Sequence, residues 1–177
     1  SHTESEITAF EKMAKQIFGG AKMLTDDLVA MNQALINGEI DAYFTGGTYT
    51  ASPARFDGAR QVRGITPNNG PVGGKGGIVW IELTSKVNNP NVSPLAEDFL
   101  EYVQQPEPSK MVAFSEGTYN PVSQMGRKDV MAKFDKDELD AIQWDSLEQD
   151  LANSVDYQIN PDYDRMNDIY SAAKREA

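Results

Sequence analysis

The sequence predicts a mixed α/β fold. Three observations carry the prediction: capped amphipathic helices early in the chain, a β-branched and aromatic run over residues 78–84, and further capped helical stretches after Pro90. Thr3-Glu4-Ser5-Glu6 has the spacing of a capping box, and Ile7, Phe10, Met13, Ala14 and Ile17 recur at helical intervals until Gly19-Gly20 interrupts them. A second helix follows. Thr25 is placed as its N-cap, Asp26 and Asp27 suit the positive end of its dipole, and Leu28, Met31, Leu35 and Ile36 form a stripe that ends at Asn37-Gly38. Residues 40–45 read as a short buried strand leading into Gly46-Gly47, where a backbone without Cβ either turns sharply or lets a ligand approach closely.

Residues 46–77 show no helical periodicity. A strand is expected within 61–67, and residues 70–77, five of them glycine, read as a loop or crossing segment. That loop is not a phosphate-binding loop, because Gly76 follows Lys75 and Asn69 stands where the first glycine belongs. Residues 78–84 form the clearest strand, with Trp80 and Glu82 on one face and Val79, Ile81 and Leu83 on the other, the expected core face. Ser93-Pro94 then opens a helix with Leu95, Phe99, Leu100 and Val103 as its buried stripe. Pro106-Glu107-Pro108 opens another, containing Met111, Val112 and Phe114 and ending at Gly117; the segment before Pro121 is extended or turned. Asp135 and Glu138 make a capping pair for a helix over 136–151, and Asn160-Pro161 opens one over 161–175.

Composition narrows the chemistry. The 177 residues carry a formal charge of −11 and no cysteine, which removes disulfides, thiolate zinc sites and cysteine nucleophiles; the single histidine, His2, sits where a cleaved tag would leave one. No apolar run reaches the ~20 residues of a membrane-spanning helix. Charge is uneven: −4 over residues 1–44, +3 over 45–80, −2 over 81–128 and −8 over 129–177. The positive stretch rests on Arg55, Arg60, Arg63 and Lys75 alone, too little to form the basic stripe that nucleic acid requires. With no G-x-S-x-G elbow and no metal-ligand spacing, the expectation is a protein that is not an enzyme and needs no cofactor or metal.

One pair of residues points to a ligand. Trp80 offers a π face that attracts ammonium groups, and Glu82, two positions along the same strand face, supplies opposite charge. Each has a plainer reading, Trp80 as core packing and Glu82 as a salt bridge. Gly46 and Gly47 stand between close ligand approach and an ordinary turn, and Tyr119 between lining a ligand and capping the preceding helix. Trp144, between Gln143 and Asp145, reads as the apolar anchor of its helix, and the pairs Asp135/Asp137 and Asp162/Asp164 as helix-start acids rather than a calcium loop.

The segment Gly38-Glu39-Ile40-Asp41-Ala42-Tyr43-Phe44-Thr45-Gly46-Gly47 resembles the "GE-[VI]-D-apolar" strand and turn of periplasmic solute-binding proteins. Gly76-Gly77-Ile78-Val79-Trp80-Ile81-Glu82, followed by a Lys/Asn/Pro turn and the helix Leu95-Ala96-Glu97-Asp98-Phe99-Leu100-Glu101-Tyr102-Val103, resembles the "GGI-x-W-x-D … A-x-x-F-[IL]-x-[FY]-[LV]" passage of the spermidine/putrescine-binding family. Residues 117–122 are similar to that family's "G-Y-[NP]-x-[PT]" segment with one residue inserted, so the resemblance covers about residues 25–125.

The resemblance implies a type II binding-protein fold: two α/β lobes that close on a solute and present it to an ABC-transporter permease. On this reading the chain is a C-terminal fragment of a periplasmic, or extracytoplasmic and lipid-anchored, receptor that touches the membrane only through the permease. It divides into a second-lobe segment over 1–78 with a hinge crossing near 68–78, a first-lobe return strand and helices over 79–120, and a helical segment over 121–177 packing on the second lobe. The implied ligand residues are Trp80, Glu82, Tyr119, Thr45, Gly46 and Gly47, around a small, polyamine-like cation. Two departures bear on the ligand: the family's second-lobe tryptophan is replaced near Thr45, and Glu82 stands for an aspartate. A receptor for an anionic or amino-acid-derived solute, using Arg55, Arg60 or Lys75, and a ligand-sensing domain of a transcription regulator are the alternatives with the same architecture.

Overall fold

The computed structural model describes residues 1–44, 46–115 and 119–177. They form two compact units, one of residues 1–30 with 157–177 and one of residues 31–156.

In the smaller unit, helix α1 (Glu4–Gly20) packs on helix α9 (Tyr163–Glu176). The expected capping box is present: the Thr3 hydroxyl accepts from the Glu6 N–H, and the Glu6 carboxylate accepts from the Thr3 N–H at 2.7 Å. Ile7, Ala14 and Ala173 are buried, Phe18 and Tyr170 meet edge to face at 5.0 Å, and Arg165 donates through both terminal nitrogens to Glu4 at 2.6 and 2.7 Å. Hydrogen bonding and the charge of Arg165 hold the Glu4 carboxyl below its ordinary range. The C-terminal helix starts at Tyr163 rather than at Pro161, with Asn160 Oδ1 accepting from the Asp162 N–H just before it.

The larger unit holds most of the secondary structure. Helix α2 (Leu28–Ile36) leads into it, and helix α3 (Thr48–Phe56) packs there on the helix at Lys136–Ala141. Asp27, not Thr25, caps α2, accepting from the N–H groups of Val29 and Ala30. Strand β1 (Gly77–Val79) pairs in parallel with strand β2 (Ser154–Asp156), in the register Gly77 to Ser154, Ile78 to Val155 and Val79 to Asp156. The rest is helical: α4 (Leu95–Tyr102), α5 (Pro106–Ala113), α6 (Lys128–Met131), α7 (Lys136–Ala141) and α8 (Leu147–Ala152), with 3₁₀ turns at Ser123–Gly126 and Trp144–Ser146. The core cluster is Ala113, Met125, Val130, Phe134 and Ile142, with Phe114, Tyr119 and Trp144 packed against it; Trp144 is therefore the apolar anchor its spacing suggested.

Several expectations need correction, each for a physical reason. Residues 40–44 form no strand; the N–H groups of Glu39 and Ile40 turn back to the Ala34 carbonyl at the end of α2. Residues 61–67 form none either, because side chains consume their backbone groups. The Arg55 guanidinium takes the carbonyls of Arg60 and Val62, and the Gln143 amide takes both the N–H and the C=O of Gly64. The strand expected over 78–84 stops at Val79, and the face assigned to the core is open, with Ile81 78% and Leu83 81% exposed. The stripe of α4 is open too: Leu95 and Phe99 are exposed and no residue of that helix is buried.

The helix expected over 136–151 starts at its predicted capping box, Asp135 with Glu138, and then breaks. Gln143 adopts φ 54, and the chain resumes as a 3₁₀ turn and α8. Helix α3 lies where no helix was expected. It buries Thr50, Ser52 and Arg55 beside Ala51 and Ala54, so its inner face is half polar and leaves no apolar stripe. It also contains Pro53, whose missing N–H would strand the Tyr49 carbonyl; the Ser52 hydroxyl donates to that carbonyl at 2.8 Å instead.

Candidate functional site

Helix α3 positions most of what the sequence singled out. Gly46, at φ +82, occupies the left-handed region, and a Cβ there would lie 2.5 Å from Thr50 Cγ2. Gly47 is the N-cap residue of α3, and a Cβ on it would come within 2.9 Å of Cδ1 and Cε1 of Tyr49. Both glycines therefore serve close packing against the first turn of the helix. Thr50 fixes that turn: its hydroxyl donates to the Gly47 carbonyl at 2.6 Å and lies 2.8 Å from the Tyr43 hydroxyl, while its own carbonyl accepts from Asn32 Nδ2 at 2.7 Å.

Trp80 reaches this turn from the other side. Its ring meets Tyr49 edge to face, with centroids 6.2 Å apart and planes at 80°, and Trp80 remains 50% exposed. Trp80 is thus not sealed in a core. Glu82 is exposed and makes no hydrogen bond or ion pair among the described residues. Tyr119 takes a different position, in an aromatic cluster with Phe56 at 5.3 Å and Phe114 at 4.9 Å, its N–H donating to Ser52 Oγ at 3.0 Å. Thr45 and Gly117 lie outside the described residues. The structure therefore joins Gly47 to Trp80 through Tyr49 and ties Tyr119 to the far end of the same helix.

The four basic residues of the stretch 45–80, Arg55, Arg60, Arg63 and Lys75, are each engaged. Arg55, with 1% of its side chain exposed, donates all five of its N–H groups: to the Asp140 carbonyl twice, to Asp140 Oδ1, and to the carbonyls of Arg60 and Val62. Burial pulls its pKa down and Asp140 opposes that shift. Arg60 is paired with Asp137 and Asp140 and holds the Asp137 carboxyl below its ordinary range; Arg63 faces Asp145, and Lys75 donates to the Ser154 carbonyl.

Sequence reasoning missed Tyr49. With no helix expected over 46–77, nothing placed it opposite Trp80, and its only signal was its position two residues after Gly46-Gly47. Shallow hollows lie on α1 beside Thr8, Glu11 and Lys15 and around Met125, Arg127 and Met131, and these include no expected site residue. Among the described residues no group of three or more His, Cys, Asp or Glu side chains is disposed to hold a metal ion, and no helix is long and apolar enough to cross a membrane. A scan of family models and searches of curated proteins and of solved structures find nothing that matches the chain.

Proposed function

We propose that this chain is part of the solute-binding component of an ABC importer, with a type II binding-protein fold, that works outside the cytoplasm and takes up a small cationic solute of the polyamine class. The observation that carries the reading is Trp80: an indole half open to solvent, braced by Tyr49 beside the tight glycine entry to α3, with the exposed carboxylate of Glu82, which has no partner among the described residues, two residues away. An aromatic face and a free acid attract an alkylammonium, through the ring quadrupole and through charge. The open apolar stretch from Ile78 to Phe99 adds support, because in such receptors the corresponding segment crosses to the other lobe and needs apolar side chains for that lobe to cover. Binding by closure then follows from contacts that a solute makes only when both lobes enclose it.

A cation is favoured over an anion by the state of the basic residues. Arg55 and Arg60 are spent on carbonyls and carboxylates, and Lys75 on a carbonyl, so recruiting any of them to an anionic solute would break bonds the fold already uses. The test is a thermal-shift titration of the intact receptor with spermidine and putrescine. A ligand-dependent rise in melting temperature is expected, and Trp80→Ala is expected to abolish it; an undiminished rise in the variant removes Trp80 from the site.

A further inference from the structure

We propose that the open stretch after β1 is an interface for a second copy of this chain, in which residues 80–88 of two copies pair as antiparallel strands about a two-fold axis at Thr84. The inference stands apart from the solute-binding reading and needs no solute. Beyond Val79 the chain runs on through Asn89 without helix, turn or bend. Among the described residues, no backbone group from Ile81 to Val87 has a hydrogen-bond partner. An unpaired extended backbone is a template for a further strand, and a two-fold axis lets one segment serve both copies.

Charge fixes the register. In a two-fold antiparallel pair each residue lies opposite the one equally far beyond the axis. Glu82 and Lys86 are the only charged residues from Ile78 to Asn89, so an axis at either sets like charges against each other, whereas an axis at Thr84 sets Glu82 against Lys86 twice. The same axis places Ile81 opposite Val87 and Leu83 opposite Ser85, all on one face, with both ion pairs on the other. Glu82 is exposed and has no partner among the described residues; Lys86 meets Glu97 within the chain but keeps 40% of its side chain exposed, open to a second carboxylate. The apolar surface matches. Ile78, Trp80, Ile81, Leu83 and Val87, with Phe99 on α4, which the Lys86–Glu97 contact holds beside this segment, are each between 50% and 81% exposed. At about 100 Å² apiece they carry most of the roughly 800 Å² per partner that a stable interface buries.

The test is the mass of the chain in solution, by sedimentation equilibrium over about 1 μM to 1 mM. The mass is expected to rise from 19.5 kDa toward twice that value. Glu82→Lys and Lys86→Glu, both at exposed positions, are each expected to weaken the association about ten-fold or more, and the double exchange to return it to within about three-fold of the parent. Because the chain has no cysteine, Thr84→Cys carries a single thiol and sets it opposite itself, with Cα atoms about 4.5–5.5 Å apart, within disulfide range. Under oxidised glutathione it is expected to cross-link into a covalent dimer. Asn88→Cys, whose two copies lie about 27 Å apart in this register, is not.

A chain that stays at the mass of one copy throughout overturns the proposal and leaves the stretch to another lobe or another protein. So does a dimer that forms equally well with either single charge reversal, or one that Asn88→Cys links as readily as Thr84→Cys.

Discussion

Two stretches of the larger unit read alike in sequence and end in opposite environments. Residues 109–142 supply the buried cluster of Ala113, Met125, Val130, Phe134 and Ile142, whereas residues 78–99 leave Ile78, Ile81, Leu83, Val87, Leu95 and Phe99 exposed. The difference lies in what faces them, not in their hydrophobicity. The helices of the first stretch pack on one another within this chain, while β1 has β2 as its partner for three residues only and nothing continues the pairing past Val79. An apolar pattern thus announces that a surface will be covered without saying by what.

The largest effect that would sharpen this contrast is expected on the packed side. Arg55→Ala leaves three carbonyls without their guanidinium donor and the Asp140 carboxylate with Arg60 alone, and a loss of about 3 kcal/mol or more in urea unfolding is expected. Arg55→Lys is expected to recover little of it, since an ammonium has three donors where five are used. A loss within about 0.5 kcal/mol for the alanine variant would mean that the buried guanidinium is not an anchor.

A smaller effect is expected at Gln143, whose amide holds Gly64 by its N–H at 2.7 Å and its C=O at 3.0 Å and whose backbone sits at φ 54. Gln143→Ala keeps the strained backbone and loses both bonds, so about 1–3 kcal/mol of destabilisation is expected in thermal unfolding. Gln143→Gly loses the same bonds but relieves the strain, and is expected to be milder by about 1 kcal/mol. The reverse order would break the argument.

The smallest effect is expected on the open side. In dilute solution, below self-association, Leu83→Ser is expected to change the stability of the single chain by no more than about 0.5 kcal/mol, because the side chain has little burial to lose within it. A loss of about 2 kcal/mol would show that Leu83 is covered within one chain and would erase the contrast between the two stretches.

How much was legible follows the range of the interactions. The capping boxes at Thr3 and Asp135, the proline entry to α5 and the end of α2 before Asn37-Gly38 were all readable, because each closes within a few residues of chain. Of the candidate site, Trp80, Glu82 and the glycine pair could be nominated from residue chemistry and family resemblance. Tyr49 could not, because its place depends on a helix whose inner face is polar and whose Pro53 argues against helix. The strand over 61–67 failed for the converse reason: its residues suit a strand, but side chains from Arg55 and Gln143 claim its backbone first.

By itself, then, the sequence determined where α1 and α7 begin and where α2 ends, which residue types were available to meet a cation, and that this chain has no cysteine, disulfide or thiolate chemistry. Only the tertiary structure decided which apolar faces are covered, that the strand at Ile78 stops after Val79, that Gln143 interrupts a helix in order to hold Gly64, and that Tyr49 stands against Trp80. Caps and turns are satisfied by near neighbours in the chain. Burial, strand pairing and a guanidinium whose acceptor lies 85 residues away are settled by groups that only folding brings together.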